Sequence, residues 1–174
     1  MKRDWWKATH DPKDVLPVPW MHPAAVAYLD TLLRPEMSVL EQGCGGSTIW
    51  FSSRVAKVIS VENDEHWLNY IRSWVGRNVE FRLDYPYPTR ELADLLLIDG
   101  KPNTARIPWI CVAEKLVKPG GIVVLDNSDE TDYADWKHEL DQKMVSWVTI
   151  HPSFPKKGFD TTFYRMPGGT ETWI

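Results

Sequence analysis

The chain has 174 residues and only two cysteines, Cys44 and Cys111, which do not form a C-x-x-C pair. There is therefore no disulfide framework, which suits a reducing compartment. No apolar run approaches the roughly 20 residues needed to cross a bilayer. Met1 to Lys7 carry basic residues and two tryptophans, without the apolar stretch of a secretory signal. A basic excess is missing too. The formal net charge is -4, so overall charge gives no case for nonspecific binding to nucleic acid or an anionic membrane. There is no internal repeat, linker or low-complexity segment. The expectation is one soluble, cytoplasmic domain over 1–174, with 1–22 as an N-terminal lead or lid. Self-association is left open.

Ten tryptophans are spread along the whole chain, and most are expected to fill the core or cover helix–sheet seams. Apolar periodicity predicts a helix from Pro23 through Leu33, where proline suits the first turn. Strands are predicted at Ser38 to Glu41, Val58 to Val61, Val79 to Leu83, Leu92 to Ile98 and Ile122 to Leu125. Between them come helices from about Ser47 to Val55, Asp64 to Val75 and Thr104 to Val117, the last kinked near Pro108. Tyr133 to Met144 reads as an amphipathic helix. Trp147 to Ile150 and Thr161 to Tyr164 then follow with no room for a crossover helix, so one of them runs antiparallel to the rest. The pattern is α/β: a doubly wound, mostly parallel sheet of seven strands with an antiparallel C-terminal strand.

In such sheets ligands bind at the carboxyl ends of the strands. Glu41, Glu62, Asp84, Asp99, Asp126 and Asn127 each follow an apolar strand-like run, which places them on one rim. The most telling segment is Val39-Leu40-Glu41-Gln42-Gly43-Cys44-Gly45-Gly46-Ser47, a strand handing over to a helix through glycines. Gly43 and Gly45 relax the backbone and let a ligand approach closely. Glu62 lies about 20 residues beyond the turn, the spacing at which a carboxylate accepts the ribose hydroxyls of an adenosine. Cys44 is a small loop residue and not a nucleophile, since no histidine is placed beside it.

These residues resemble the class I S-adenosylmethionine-dependent methyltransferases from about Trp20 to Tyr164. The shared order is Leu-Glu-x-Gly-x-Gly-x-Ser, an acidic end to the second strand, Leu-Leu-Ile-Asp-Gly, and Lys-Pro-Gly-Gly before Val-Leu-Asp-Asn. The small O-methyltransferase-like branches look most similar. The resemblance implies strand order 3-2-1-4-5-7-6 and S-adenosylmethionine as cofactor. Glu41, Gly43 and Gly45 would then surround its methionine part. Ser47, in place of a third glycine, would cap the helix or bind the cofactor carboxylate. Glu62 would hold the ribose, Asn63 would flank the adenine and Asp84 would meet its amino group. Asp99 would face the sulfonium and the acceptor.

By similarity to metal-dependent catechol-type enzymes, Asp99, Asp126 and Asn127 would hold a divalent ion such as Mg2+. Lys101 would serve as general base, although those enzymes carry their lysine one position further on. The acceptor implied is a hydroxyl of a small molecule such as a sugar or phenol. Acceptor selection would fall to the lead with Trp20 and His22, the 84–88 loop, the 102–108 segment, and the 151–160 loop with His151, Phe154, Lys156 and Lys157. Two other readings stand beside this one. A nicotinamide-dependent oxidoreductase is disfavoured because Thr48 stands where G-x-G-x-x-G requires glycine. A non-catalytic cofactor-binding module would share the same rim.

Overall fold

The computed structural model describes residues 15–83, 91–151 and 159–168. In chain order the elements are α1 (Pro23–Leu32), β1 (Ser38–Gln42), α2 (Gly46–Ser52), β2 (Lys57–Glu62), α3 (Glu65–Arg72), β3 (Val79–Leu83) and β4 (Ala93–Ile98). They continue with α4 (Ile107–Leu116), β5 (Val117–Asp126), α5 (Ala134–Lys143), β6 (Ser146–Ile150) and β7 (Thr161–Arg165). No described helix is long and apolar enough to cross a membrane.

The strands form one seven-stranded sheet in the order β3-β2-β1-β4-β5-β7-β6. β1 pairs in parallel with both β2 and β4, and β4 pairs in parallel with β5. The chain therefore winds outward through β3 and returns past β1 to β4. That reversal opens a crevice between the carboxyl ends of β1 and β4. β7 is antiparallel to both β5 and β6, and the 151–160 connection is too short for the crossover that a parallel pairing with β6 would need.

Alternation along β4 divides the core. Leu95 and Leu97 pack with Ala25, Leu29, Trp50 and Phe51 on one face, beneath α1 and α2. Leu96 and Ile98 pack with Trp109, Ile110, Tyr133 and Leu140 on the other, beneath α4 and α5. Both faces are covered, so β4 reads as a continuous apolar run.

Three expectations are corrected. The Pro108 helix is not kinked: a 3-10 turn, Asn103–Arg106, precedes it, and Pro108 lies in the first turn of α4, where its missing N–H costs nothing. β5 starts at Val117, well before Ile122, with a register irregularity opposite Ala93 and Leu95. Among the described residues the tryptophans are not mainly core. Trp50 and Trp109 are buried, whereas Trp20, Trp74, Trp136 and Trp147 are exposed, Trp147 because β6 is an outer edge of the sheet. Trp5, Trp6 and the 84–88 loop lie outside the described residues.

Leu96 is fully buried at the centre of the sheet, so Leu96→Ala is expected to lower unfolding free energy by about 3 kcal/mol. Equilibrium denaturation would measure this. A loss below about 1 kcal/mol would show that the α4–α5 face is not the closely packed layer described here.

Candidate functional site

The end of β1 is tied to the end of β4 by one side chain. Gln42 is fully buried; its Oε1 accepts from Gly100 N at 3.0 Å and its Nε2 donates to the Ala105 carbonyl at 3.1 Å. Beyond it the two strand ends come so close that each carries a glycine. A Cβ on Gly43, whose φ is +89°, would lie 2.8 Å from the Gly100 Cα. Gly45 differs from expectation. Its φ of 170° is extended, and an added Cβ would meet nothing within 4 Å. The steric demand falls on Gly46 instead, where a Cβ would stand 2.1 Å from the Leu16 carbonyl oxygen and 2.4 Å from that of Val18. The N-terminal lead thus lies directly on the start of α2.

Glu62 joins this turn to β2. Its Oε2 accepts from Cys44 N at 2.9 Å, and its Oε1 accepts from Asn63 N at 2.8 Å and Asp64 N at 3.0 Å. The Cys44 thiol also hydrogen-bonds this carboxylate, so its roughly four lone-pair sites are all engaged, three by backbone amides and one by the weak thiol donor. Asn63 Nδ2 donates to the Lys101 carbonyl at 3.3 Å, bridging the β2 and β4 ends. Burial and the neighbouring Glu62 push the Cys44 thiol pKa up, which keeps it protonated and unreactive.

Glu41 and Ser47, expected beside a cofactor's methionine part, hydrogen-bond each other in this structure. Glu41 is fully buried beneath the turn and accepts from Ser47 Oγ, from Thr48 Oγ1 at 2.6 Å and from Ser60 Oγ at 2.8 Å. Ser47 spends its hydroxyl on that carboxylate, while Thr48 Oγ1 accepts from Gly45 N at 2.9 Å. Burial outweighs the three hydroxyls and raises the Glu41 pKa to about 7.

On the β4–β5 side, Asp99, Asp126 and Asn127 line a cavity of about 290 Å³. Phe159 forms part of its wall; Trp20 and Lys101 also line it, with the Lys101 Nζ 4.9 Å from the Trp20 ring centroid. His22 lines it too, and its Nδ1 caps α1 by accepting from Ala24 N at 3.2 Å. Asp126 is almost fully buried, with Thr161 Oγ1 donating to its Oδ1 at 2.6 Å and a hydrogen bond to the Asp99 carboxyl. Burial raises the pKa of both aspartates; the Asp99 charge further opposes ionisation of Asp126, whereas the Arg106 and Lys101 charges and the hydrogen bond from Asp126 favour ionisation of Asp99. Lys101 is exposed, with its ammonium over the Trp20 ring and near enough to Asp99 for its charge to favour ionisation of that carboxyl group. Asp84, Phe154, Lys156 and Lys157 lie outside the described residues, and His151 is exposed and paired with Asp160 at 2.7 Å.

The sequence reading missed Arg106, which is fully buried and donates to Asp99 Oδ1 at 3.0 Å. Its only signal was a single basic residue opening an otherwise apolar helix. The three expected metal ligands share the cavity, but they do not fit a divalent ion. Arg106 engages Asp99, Thr161 engages Asp126, and the two carboxyl groups bond each other. No group of three or more His, Cys, Asp or Glu side chains suited to a metal occurs among the described residues.

No family model matches the chain, and no curated protein matches it. Solved structures do. A tRNA methyltransferase, TrmI from Aquifex aeolicus, superposes with TM-score 0.66 at 13% identity over 86% of this chain and 70% of that one. An S-adenosylmethionine-dependent O-methyltransferase from Thermotoga maritima gives 0.64 at 12% identity over 87% and 68%. The N-methyltransferase NodS from Bradyrhizobium japonicum, in complex with S-adenosyl-L-homocysteine, gives 0.59 at 16% over 77% and 80%. The chain therefore has the class I S-adenosylmethionine-dependent methyltransferase fold. The matches include proteins named for RNA, oxygen and nitrogen methylation, so the fold does not single out the O-methyltransferase branch.

Two predictions follow from the turn. Gly46→Ala is expected to displace the lead, and limited proteolysis should then cut near Leu16 far faster than in the parent; an unchanged digestion pattern would contradict that contact. Folded Glu41 keeps its proton up to about pH 7, whereas the ordinary value is 4.5. The folded chain then binds more protons between those pH values, so stability falls as pH rises through that window, by about 3 kcal/mol. Asp99 and Asp126 act in the same direction. Denaturant unfolding at pH 5 and pH 8 should show a markedly smaller decline for Glu41→Gln, and an equal decline would refute the buried-acid assignment.

Proposed function

We propose that the chain transfers a methyl group from S-adenosylmethionine to a hydroxyl of a small molecule bound in the cavity beside Asp99 and Asp126. The observation that carries this reading is the contact between the two halves of the rim. Gly43, in the turn fastened to Glu62, touches Gly100, which directly follows the cavity-lining Asp99. An adenosyl group held at the turn would thus have its reacting end next to an acceptor in the cavity. Open space at Gly45 leaves room for close approach of a ligand to the turn.

When bound, the cofactor supplies an already activated methyl group, so the protein's tasks are alignment and exclusion of water. Glu62 accepts from a ribose hydroxyl in place of the weak Cys44 thiol donor. Asn63 and the Lys101 backbone bridge across the crevice, and the lead with Trp20 covers it. Carboxyl oxygens of Asp99 and Asp126 suit an acceptor that arrives as a hydrogen-bond donor. A carboxyl group whose pKa is raised by burial is also a stronger proton acceptor than an exposed one. A cavity of about 290 Å³ suits a small molecule. In this reading Mg2+ has no part, and nucleic acid is not the acceptor.

Calorimetric titration with S-adenosylmethionine, S-adenosylhomocysteine and NAD tests the proposal. Saturable binding of the two sulfur compounds is expected, with none for NAD; the reverse result overturns it. Glu62→Ala should weaken S-adenosylhomocysteine binding at least about tenfold, since it removes a charged acceptor and releases Cys44 N. Unchanged affinity in that variant would refute the site.

A further inference from the structure

Asp99, Asp126 and Asn127 meet at one cavity, yet the positive charge among them already belongs to the chain. A guanidinium has five N–H donors, and Arg106 makes five contacts with them. Nε donates to the Gly100 carbonyl at 2.9 Å, and Nη2 donates to the Asp99 carbonyl at 3.1 Å and to Asp99 Oδ1 at 3.0 Å. Nη1 donates to the Asp126 carbonyl and to the Tyr133 hydroxyl at 3.4 Å. Tyr133 in turn donates to the Asn127 carbonyl at 2.5 Å, where the chain leaves β5 with a φ of 52°.

We propose that Arg106 replaces the divalent ion at this site: it is the fixed cation that holds the β4 and β5 ends together and balances the Asp99–Asp126 pair, so the acceptor cavity is assembled without a metal. Magnesium and calcium need several oxygens directed at one centre. Here one oxygen of each carboxyl group is engaged by Arg106 or Thr161, and the two groups bond each other. A divalent ion placed among them would also lie close to a buried guanidinium that has no route to solvent, and the two would repel strongly at low dielectric. Arg106 itself is fully buried with its donors spent, so it acts through Asp99 and Asp126 as a positioning residue.

The test is a Mn2+ titration of the intact protein, followed by electron paramagnetic resonance and calorimetry, on the parent, Asp126→Asn and Arg106→Gln. The parent is expected to take up no Mn2+ at millimolar concentration, and its Tm should be the same in Mg2+ and in chelator. Arg106→Gln should lower Tm by about 10 °C. It should also gain a Mn2+ site that the parent lacks, an outcome that loss of a merely structural arginine does not produce. Mn2+ uptake by the parent that Asp126→Asn abolishes would overturn the proposal, as would a folded Arg106→Gln that takes up none. If Arg106→Gln does not fold, the comparison of parent with Asp126→Asn still decides. The titration involves no S-adenosylmethionine, so its failure is separable from failure of the methyltransferase reading.

Discussion

A charged guanidinium with no exposure to solvent governs the working end of this molecule. Removing Arg106 from water is costly, and the cost is offset only because every donor finds an oxygen on the ends of β4 and β5 or on Tyr133. The backbone carbonyls of Asp99, Gly100 and Asp126 are thereby fixed relative to one another. Two carboxyl groups that burial would otherwise set against each other share the same cavity next to a permanent positive charge. The geometry of the cavity follows from that one residue and the strands that bury it.

The acidic residues of the rim are alike in sequence and different in role. Glu41 lies beneath the glycine turn and is held by three hydroxyls, a support for the loop. Glu62 faces the turn from the next strand and accepts three backbone amides, which locks the loop to β2. Asp99 and Asp126 line the cavity, together with Glu130 from the segment after β5. Environment separates them: burial outweighs three hydroxyls and raises the pKa of Glu41, while the Asp99 charge adds to the effect of burial on Asp126.

The lead contributes more than its composition suggests. Carbonyls of Leu16 and Val18 lie so close to Gly46 that no side chain fits there, and Trp20 lines the cavity beneath the Lys101 ammonium. The third glycine of the turn therefore answers to packing against the lead. The first glycine, Gly43, answers to Gly100 across the crevice.

Strand and helix periodicity in the sequence determined the seven strands, the parallel winding and the antiparallel last strand, because apolar spacing encodes which face is buried and loop length limits which strands run parallel. It also determined that Glu62, Asp99 and Asp126 share a rim with the glycine turn, since each ends a buried strand. Local pattern carries no information about which way a side chain turns once the strand ends. Only the tertiary structure decided that Glu41 and Ser47 face inward, that Gly46 rather than Gly45 must lack a side chain, and that Arg106 neutralises the aspartates. Each of those outcomes depends on groups brought together from distant segments, so no single segment records it.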